Sequence, residues 1–241
     1  SPLVCGTLGE RIGYHWGFGA AGVGMVIGLL VYLRGQKHLA PDLIMQKKGS
    51  GQQGPSEPMT RDDRLKIGAI LVMMALSVVF WSVYEQQGNT MALWADANTD
   101  RMISGWEMPA SWFQSFNPLM IFLLVPVLNM FWHAQGRRGK EPSSISKMGI
   151  GCILLAAAFL ILIPPARELA AIPRASIWWL TACAFVLTIG EIYLSPVGLS
   201  LVTKIAPARI VSMMMGVWFL SSFFGNYLSG YLGTFWEKMS K

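Results

Sequence analysis

Apolar residues fall in six long blocks, about 12–33, 67–95, 113–133, 148–165, 176–203 and 210–235. Runs of about eighteen residues or more with scarcely a charge predict helices that cross a bilayer. At about 1.5 Å of rise per residue, such blocks cover a hydrocarbon core of roughly 30 Å. The connections are short apart from 34–66, RGQKHLAPDLIMQKKGSGQQGPSEPMTRDDRLK, which is polar and rich in Gly, Pro, Gln and Ser. It reads as a flexible linker with room for one short surface helix. The pattern predicts an all-α integral membrane protein.

Charge orients the helices. Loop 34–66 carries Arg34, Lys37, Lys47, Lys48, Arg61, Arg64 and Lys66; loop 134–147 carries Arg137, Arg138, Lys140 and Lys147; turn 203–209 carries Lys204 and Arg209. The alternate loops, 96–112 and 166–175, hold only Arg101, Arg167 and Arg174. The excess of Lys and Arg places the first set in the cytoplasm, with Lys238 and Lys241 weakly opposed. The net charge of +6 is thus spread over loops instead of forming a basic patch with interleaved aromatics, which argues against nucleic acid. A hydrophobic fraction of 53% against 13% charged residues, with mean hydropathy +0.45, agrees with the membrane reading. Cys5, Cys152 and Cys183 are odd in number and lie in apolar sequence, so no disulfide framework or metal site is expected. His15, His38 and His133 lack ligand spacing, and no nucleophile–base motif or phosphate-binding loop supports an enzyme.

Glu191 is the sole formal charge in 176–203, about fifteen residues from its outer end. A mid-membrane carboxyl must be protonated, paired or facing water, and its default reading is functional; the plain alternative is a neutral acid hydrogen-bonded between helices. Pro196 follows in GEIYLSPVG and leaves a backbone carbonyl without its helical donor, so Gly190 and Pro196 mark a candidate hinge beside the carboxyl. Glu85, in FWSVYEQQGNTMALWAD, lies eighteen residues into its block with Trp81 one turn before it. This face reads either as a polar cavity wall or as a helix end emerging into water. Asn117 precedes Pro118 and offers a donor and an acceptor to substrate, or simply caps its helix. Trp218 and Ser222 share a face of the last block and form a candidate binding wall, while Met213, Met214 and Met215 suit packing. Gly13-x-x-x-Gly17 and Gly24-x-x-x-Gly28 permit close helix approach.

Four phrases, in order and over nearly the whole chain, resemble the proton-dependent oligopeptide transporters, the POT or PTR2 family of the major facilitator superfamily. They are SPLVCGTLGERIGYHWGFGAAGVGM, FWSVYEQQGNTMALWAD, PASWFQSFNPLMIFLLVP and GEIYLSPVGLSLVTKIAPARIVSMMMGVWFLSSFFGN. The resemblance implies two six-helix bundles around a central peptide cavity. Residues 1–33 would be the end of helix 5 and helix 6, residues 34–66 the cytoplasmic inter-bundle linker, and residues 67–241 helices 7 to 11. The chain would then be part of a larger fold, with the missing transmembrane helices of the same protein among its partners. Residues 34–66 are too short and polar for the two extra helices that many bacterial relatives place between the bundles.

The resemblance also implies roles. Glu191 resembles the helix 10 glutamate that approaches the peptide amino terminus, and Glu85 the helix 7 glutamate of proton coupling. Asn117 resembles a contact to the peptide amino end, and Trp81, Trp218 and Ser222 resemble cavity-lining positions. The expected activity is inward symport of di- and tripeptides with protons through the inner (cytoplasmic) membrane, with the proton as coupling ion and no cofactor or metal. A same-fold transporter of nitrate or an organic acid, and a non-transporting membrane sensor or scaffold, remain as alternatives.

Overall fold

The computed structural model describes residues 2–38, 59–103, 105–108, 112–169 and 173–239. Much of the expected linker, 39–58, lies outside the described residues. The chain divides into two units, Ser1–Arg64 and Leu65–Lys241, and each is described by itself.

In the first unit a π-helical turn, Pro2–Gly6, leads into α1 (Thr7–Arg11) and then α2 (Tyr14–Gly35). Gly13 joins α1 to α2 at φ +145°, a conformation that disfavours any side chain. Gly17 lies against the backbone of the preceding turns: a Cβ there would stand 2.5 Å from the carbonyl oxygen of Cys5. Gly24 and Gly28 have nothing within 4 Å, so only the first glycine pair serves close packing inside this unit.

The next helix, α3 (Arg61–Tyr84), starts six residues before its expected position. Thr60 and Asp63 form a reciprocal cap: the Asp63 amide donates to Thr60 Oγ1 and the Thr60 amide to Asp63 Oδ2, both at 3.1 Å. Arg61, Arg64 and Lys66 therefore belong to a helix and not to the linker. The block expected as one helix over 67–95 is broken. After Tyr84 a 3₁₀ turn runs through Glu85–Gly88, Asn89 leaves helical geometry, and α4 resumes at Thr90–Asn98. The amides of this break reach across to Ser229: Gln86 Nε2 donates to its carbonyl and hydroxyl oxygens at 3.1 Å each, and Asn89 Nδ2 to its carbonyl at 3.3 Å. Polar bonds to a neighbouring helix replace the local ladder.

Helix α5 (Phe113–Arg137) carries Pro118 and Pro126 within it. Helix α6 (Ser144–Leu160) begins at Ser143, whose hydroxyl accepts from the Ser146 amide at 3.1 Å. It therefore starts four residues before the apolar block does and includes Lys147, expected in the loop. The block's end breaks off as α7 (Ile163–Glu168), a new start that proline at its N-terminal turn favours. Helix α8 (Ile177–Ile205) runs as one helix through Pro196, and α9 (Val211–Met239) completes the unit.

Helices α6 and α8 pack together most extensively, and glycine permits it. A Cβ on Gly151 would lie 2.8 Å from the Gly190 carbonyl oxygen, and one on Gly190 3.0 Å from that of Gly151. Around them Leu155, Ala158, Leu187, Leu194 and Val202 form a buried core. Where the sequence showed only loops there are short strand pairs: β1 (Thr99–Asp100) runs parallel to β4 (Ala175–Ser176), and β2 (Met102–Ile103) antiparallel to β3 (Trp106–Glu107).

Five stretches are long and apolar enough to cross a membrane: Tyr14–His38, Arg61–Asn98, Phe113–Arg137, Ser144–Glu168 and Ile177–Ile205. The sixth block forms a helix just as long but falls outside this set, because Ser221, Ser222, Asn226, Ser229 and several aromatic and glycine residues dilute its hydropathy.

Candidate functional site

Glu191 and Asn117 come together through a residue the sequence did not single out. Tyr84, the last residue of α3 and 4% exposed, donates its phenolic hydrogen to Glu191 Oε2 in a short hydrogen bond. The Tyr84 hydroxyl oxygen in turn accepts from Asn117 Nδ2 at 2.5 Å. Thr188, one turn before Glu191 on α8, donates to the Ala184 carbonyl at 2.8 Å and lies 3.4 Å from Asn117 Oδ1. Three helices, α3, α5 and α8, thus meet in a chain of neutral hydrogen-bonding groups that ends on a carboxyl. The aromatic surroundings hold the phenol in place: Phe80 stacks on it with centroids 5.8 Å apart, and Trp81 meets it edge-on at 5.4 Å.

Glu85 sits beside this chain in the 3₁₀ turn, half-buried, close enough to Glu191 for the two carboxyls to interact. Its side chain takes a hydrogen bond from Asn226 of α9. Glu85 and Asn117 both line a cavity of about 210 Å³, together with Gln87, Gln114, Phe113 and Leu180. Glu85 thus stands where α3 ends and on the wall of this cavity. Asn117 lies four residues into α5, past the cap position, and spends its amide on Tyr84.

The other candidates lie elsewhere. Trp81 packs its Cβ over Gly225 of α9, and its buried indole Nε1 has no hydrogen-bond partner among the described residues. Trp218 is 4% exposed, with its ring over Gly198 and Met148 nearby, so here it fills the α8–α9 packing. Ser222 gives its carbonyl to Asn226 at 2.8 Å. Neither tryptophan nor Ser222 is among the residues lining the cavity with Glu85. Gly190 is a tight contact to α6, and Pro196 lies on the lining of a second cavity of about 550 Å³ at the other end of the bundle. Met214 is buried and Met215 packs beside it, whereas Met213 is exposed.

Sequence signals for the missed residues exist. A tyrosine inside an apolar run needs a partner for its hydroxyl. Thr188 precedes Glu191 by three, which puts both on one helix face.

At that second cavity Lys147, 8% exposed, donates to Glu141 Oε1 at 2.6 Å and lies 4.2 Å from the centroid of the Trp132 ring. Trp132 in turn meets Tyr193 edge-on at 5.1 Å. The ammonium lowers the Glu141 carboxyl below its ordinary range, first by hydrogen bonding and then by charge.

Long apolar helices, a glycine-mediated bundle and a polar chain ending on a carboxyl midway along a helix of spanning length define a multi-pass membrane protein, and comparison with known proteins narrows the class. The POT family (PTR2) model matches residues 1–51 and 40–241, and the chain belongs to that family. It is 30% identical over 294 positions to the peptide transporter YePEPT of Yersinia enterocolitica, covering 97% of this chain and 58% of the relative. It is 29% identical to a di-/tripeptide transporter of Lactococcus lactis subsp. cremoris, covering 92% and 56%. A crystal structure of a peptide transporter POT in complex with sulfate superposes with a TM-score of 0.80 at 28% identity, covering 97% of this chain and 58% of that one. A POT family transporter in complex with a thioalcohol-conjugated peptide gives 0.66 at 28% identity, covering 94% and 48%. The chain thus spans somewhat over half the length of the curated relatives it matches. The alignment with YePEPT is longer than the 241 residues of this chain, so the relative carries residues within the matched region that this chain lacks.

Proposed function

We propose that this chain forms much of a symporter that carries di- and tripeptides into the cell with protons across the cytoplasmic membrane. The observation that carries the reading is Glu191: a carboxyl in the middle of a spanning helix, held by neutral partners and in electrostatic reach of Glu85. Such a group can exchange a proton for an ammonium, because a neighbouring cation favours its charged form and burial its neutral one. The relatives named as peptide transporters supply the substrate class. The loops richest in Lys and Arg face the cytoplasm, and substrate reaches the site as the two bundles rock about it.

The roles follow. Glu191 takes the substrate ammonium or a proton, Glu85 the coupling proton, and Asn117 a polar group at the peptide's amino end. Trp81, Trp218 and Ser222 line the substrate path when α9 shifts against α8, while Gly190 and Pro196 let α8 bend. The test is uptake of labelled di- and tripeptides by the full-length protein in proteoliposomes under an inward proton gradient. Accumulation that collapses with a protonophore supports the reading. Binding without accumulation would point to a sensor, and accumulation of nitrate or an organic acid, but not of peptides, to another substrate.

A further inference from the structure

The chain Thr188–Asn117–Tyr84–Glu191 satisfies its hydrogen bonds in two opposite directions. Two distances determine how its hydrogens are placed. The Thr188 hydroxyl is 2.8 Å from the Ala184 carbonyl and 3.4 Å from Asn117 Oδ1, so its single hydrogen belongs to Ala184. Thr188 is left with an acceptor lone pair facing Asn117. Tyr84 likewise has one hydrogen, placed between Glu191 and Asn117, while its second lone pair takes a hydrogen bond from the Gln87 side chain in either direction of the chain.

With Glu191 ionised, the carboxylate can only accept. Tyr84 then donates to Glu191, and Asn117 must offer its NH₂ to the phenol oxygen, the arrangement in the structure. With Glu191 protonated, its O–H can donate to the phenol oxygen. The tyrosine hydrogen then turns towards Asn117, which meets it with Oδ1 by rotating its amide half a turn. The displaced NH₂ now points to Thr188, whose free lone pair accepts it. No bond is lost in the reversal and no proton leaves Tyr84; only its O–H turns. The proton enters from solvent and stays on Glu191.

We propose that Tyr84 is a positioning residue that converts protonation of Glu191 on α8 into a flip of the Asn117 amide on α5, exchanging the hydrogen-bonding groups that Asn117 turns to Tyr84 and to Thr188. Asn117 borders the 210 Å³ cavity, whereas Glu191 does not, so the relay carries the state of a half-buried acid to a surface that substrate can read. Tyr84 from α3 and Glu85 from the 3₁₀ turn are titratable groups that interact with Glu191. Helix α5 contributes the neutral Asn117, α6 presents Gly151 and Leu155 to the neighbouring Gly190, and α9 reaches Glu85 through Asn226. The inference deepens the symporter reading and rests on it for its purpose, but its geometry is testable without transport.

The experiment is infrared difference spectroscopy, acid minus alkaline, on the full-length protein in lipid with isotope-labelled asparagine and tyrosine. The wild type should show a protonated carboxyl band accompanied by asparagine-amide and tyrosine C–O changes, all three lost in Glu191→Gln. Tyr84→Phe, which removes one oxygen, should keep the carboxyl band and lose the asparagine change. Thr188→Val, which removes the acceptor for the flipped amide, should lose the asparagine change and keep the tyrosine one. An asparagine change that persists in Tyr84→Phe overturns the relay, as does a Glu191 carboxyl band without asparagine or tyrosine changes, or no Glu191 band at any pH. Intact spectra in a protein that does not accumulate peptides would sink the symporter reading and leave the relay standing.

Discussion

Two glutamates of the second unit, one midway along α8 and one in the loop before α6, show two ways of keeping a carboxyl at a helix bundle. Glu141 is bound by a cation, the buried Lys147, which is itself backed by the Trp132 ring. Glu191 is bound by the neutral Tyr84, which is backed by the neutral Asn117. A cationic partner rewards one protonation state only, since protonating the acid leaves a buried ammonium without its counter-charge. A hydroxyl and an amide can each donate or accept, so they bind either state. The first arrangement is a fastener; the second leaves the acid free to change.

The largest effect tests the second half of that contrast. In the full-length protein, Glu191→Gln should reduce proton-driven peptide accumulation to the level of empty liposomes while the protein stays folded and monodisperse. Wild-type accumulation in this variant would remove Glu191 from coupling. Glu85→Gln comes next: net accumulation should be lost while exchange of labelled for unlabelled peptide across the membrane continues. Loss of both with poor expression would make Glu85 a packing residue.

The converse tests the fastener. Lys147→Met keeps the apolar stem but removes the cation–ring contact, worth about 0.5–2 kcal/mol, and the ion pair with it. Thermal unfolding should move down by a few degrees, with peptide exchange largely retained, opposite to the pattern of Glu191→Gln. Smallest is the acid response. The Glu141 pKa is depressed in the folded protein, so the pair's contribution is present at neutral pH and above, and is lost as pH falls through that lowered value. Hydrogen exchange at the first turn of α6 should therefore rise at low pH in the wild type and stay flat in Lys147→Met. An equal rise in both would detach the acid response from this pair.

The sequence displayed the helices well because spanning segments are written in uninterrupted apolar runs. It displayed their ends poorly. Thr60 and Asp63 start α3 inside what reads as a charged linker, and Ser143 starts α6 before the apolar run begins. The break at Glu85–Gly88 depends on Ser229, some 140 residues later, which no local pattern contains. Within the site, Glu191, Glu85 and Asn117 stood out as polar groups in apolar surroundings. Tyr84 did not, because a tyrosine among Trp and Phe reads as another aromatic until its hydroxyl finds a partner. Trp218 stood out, yet its ring here fills the hollow that Gly198 leaves.

The pairing of Thr99–Asp100 with Ala175–Ser176 ties the end of α4 to the start of α8. Everything between them, α5, α6 and α7, becomes a closed loop anchored at one knot. Closing a loop of this length costs little more than closing one half as long. Mechanically, the knot removes one independent degree of freedom: α4 cannot part from α8 at that end without first breaking strand hydrogen bonds. A tilt of α8 that begins near Glu191 would therefore be handed to α4, and through the 3₁₀ turn to Glu85, by the backbone itself.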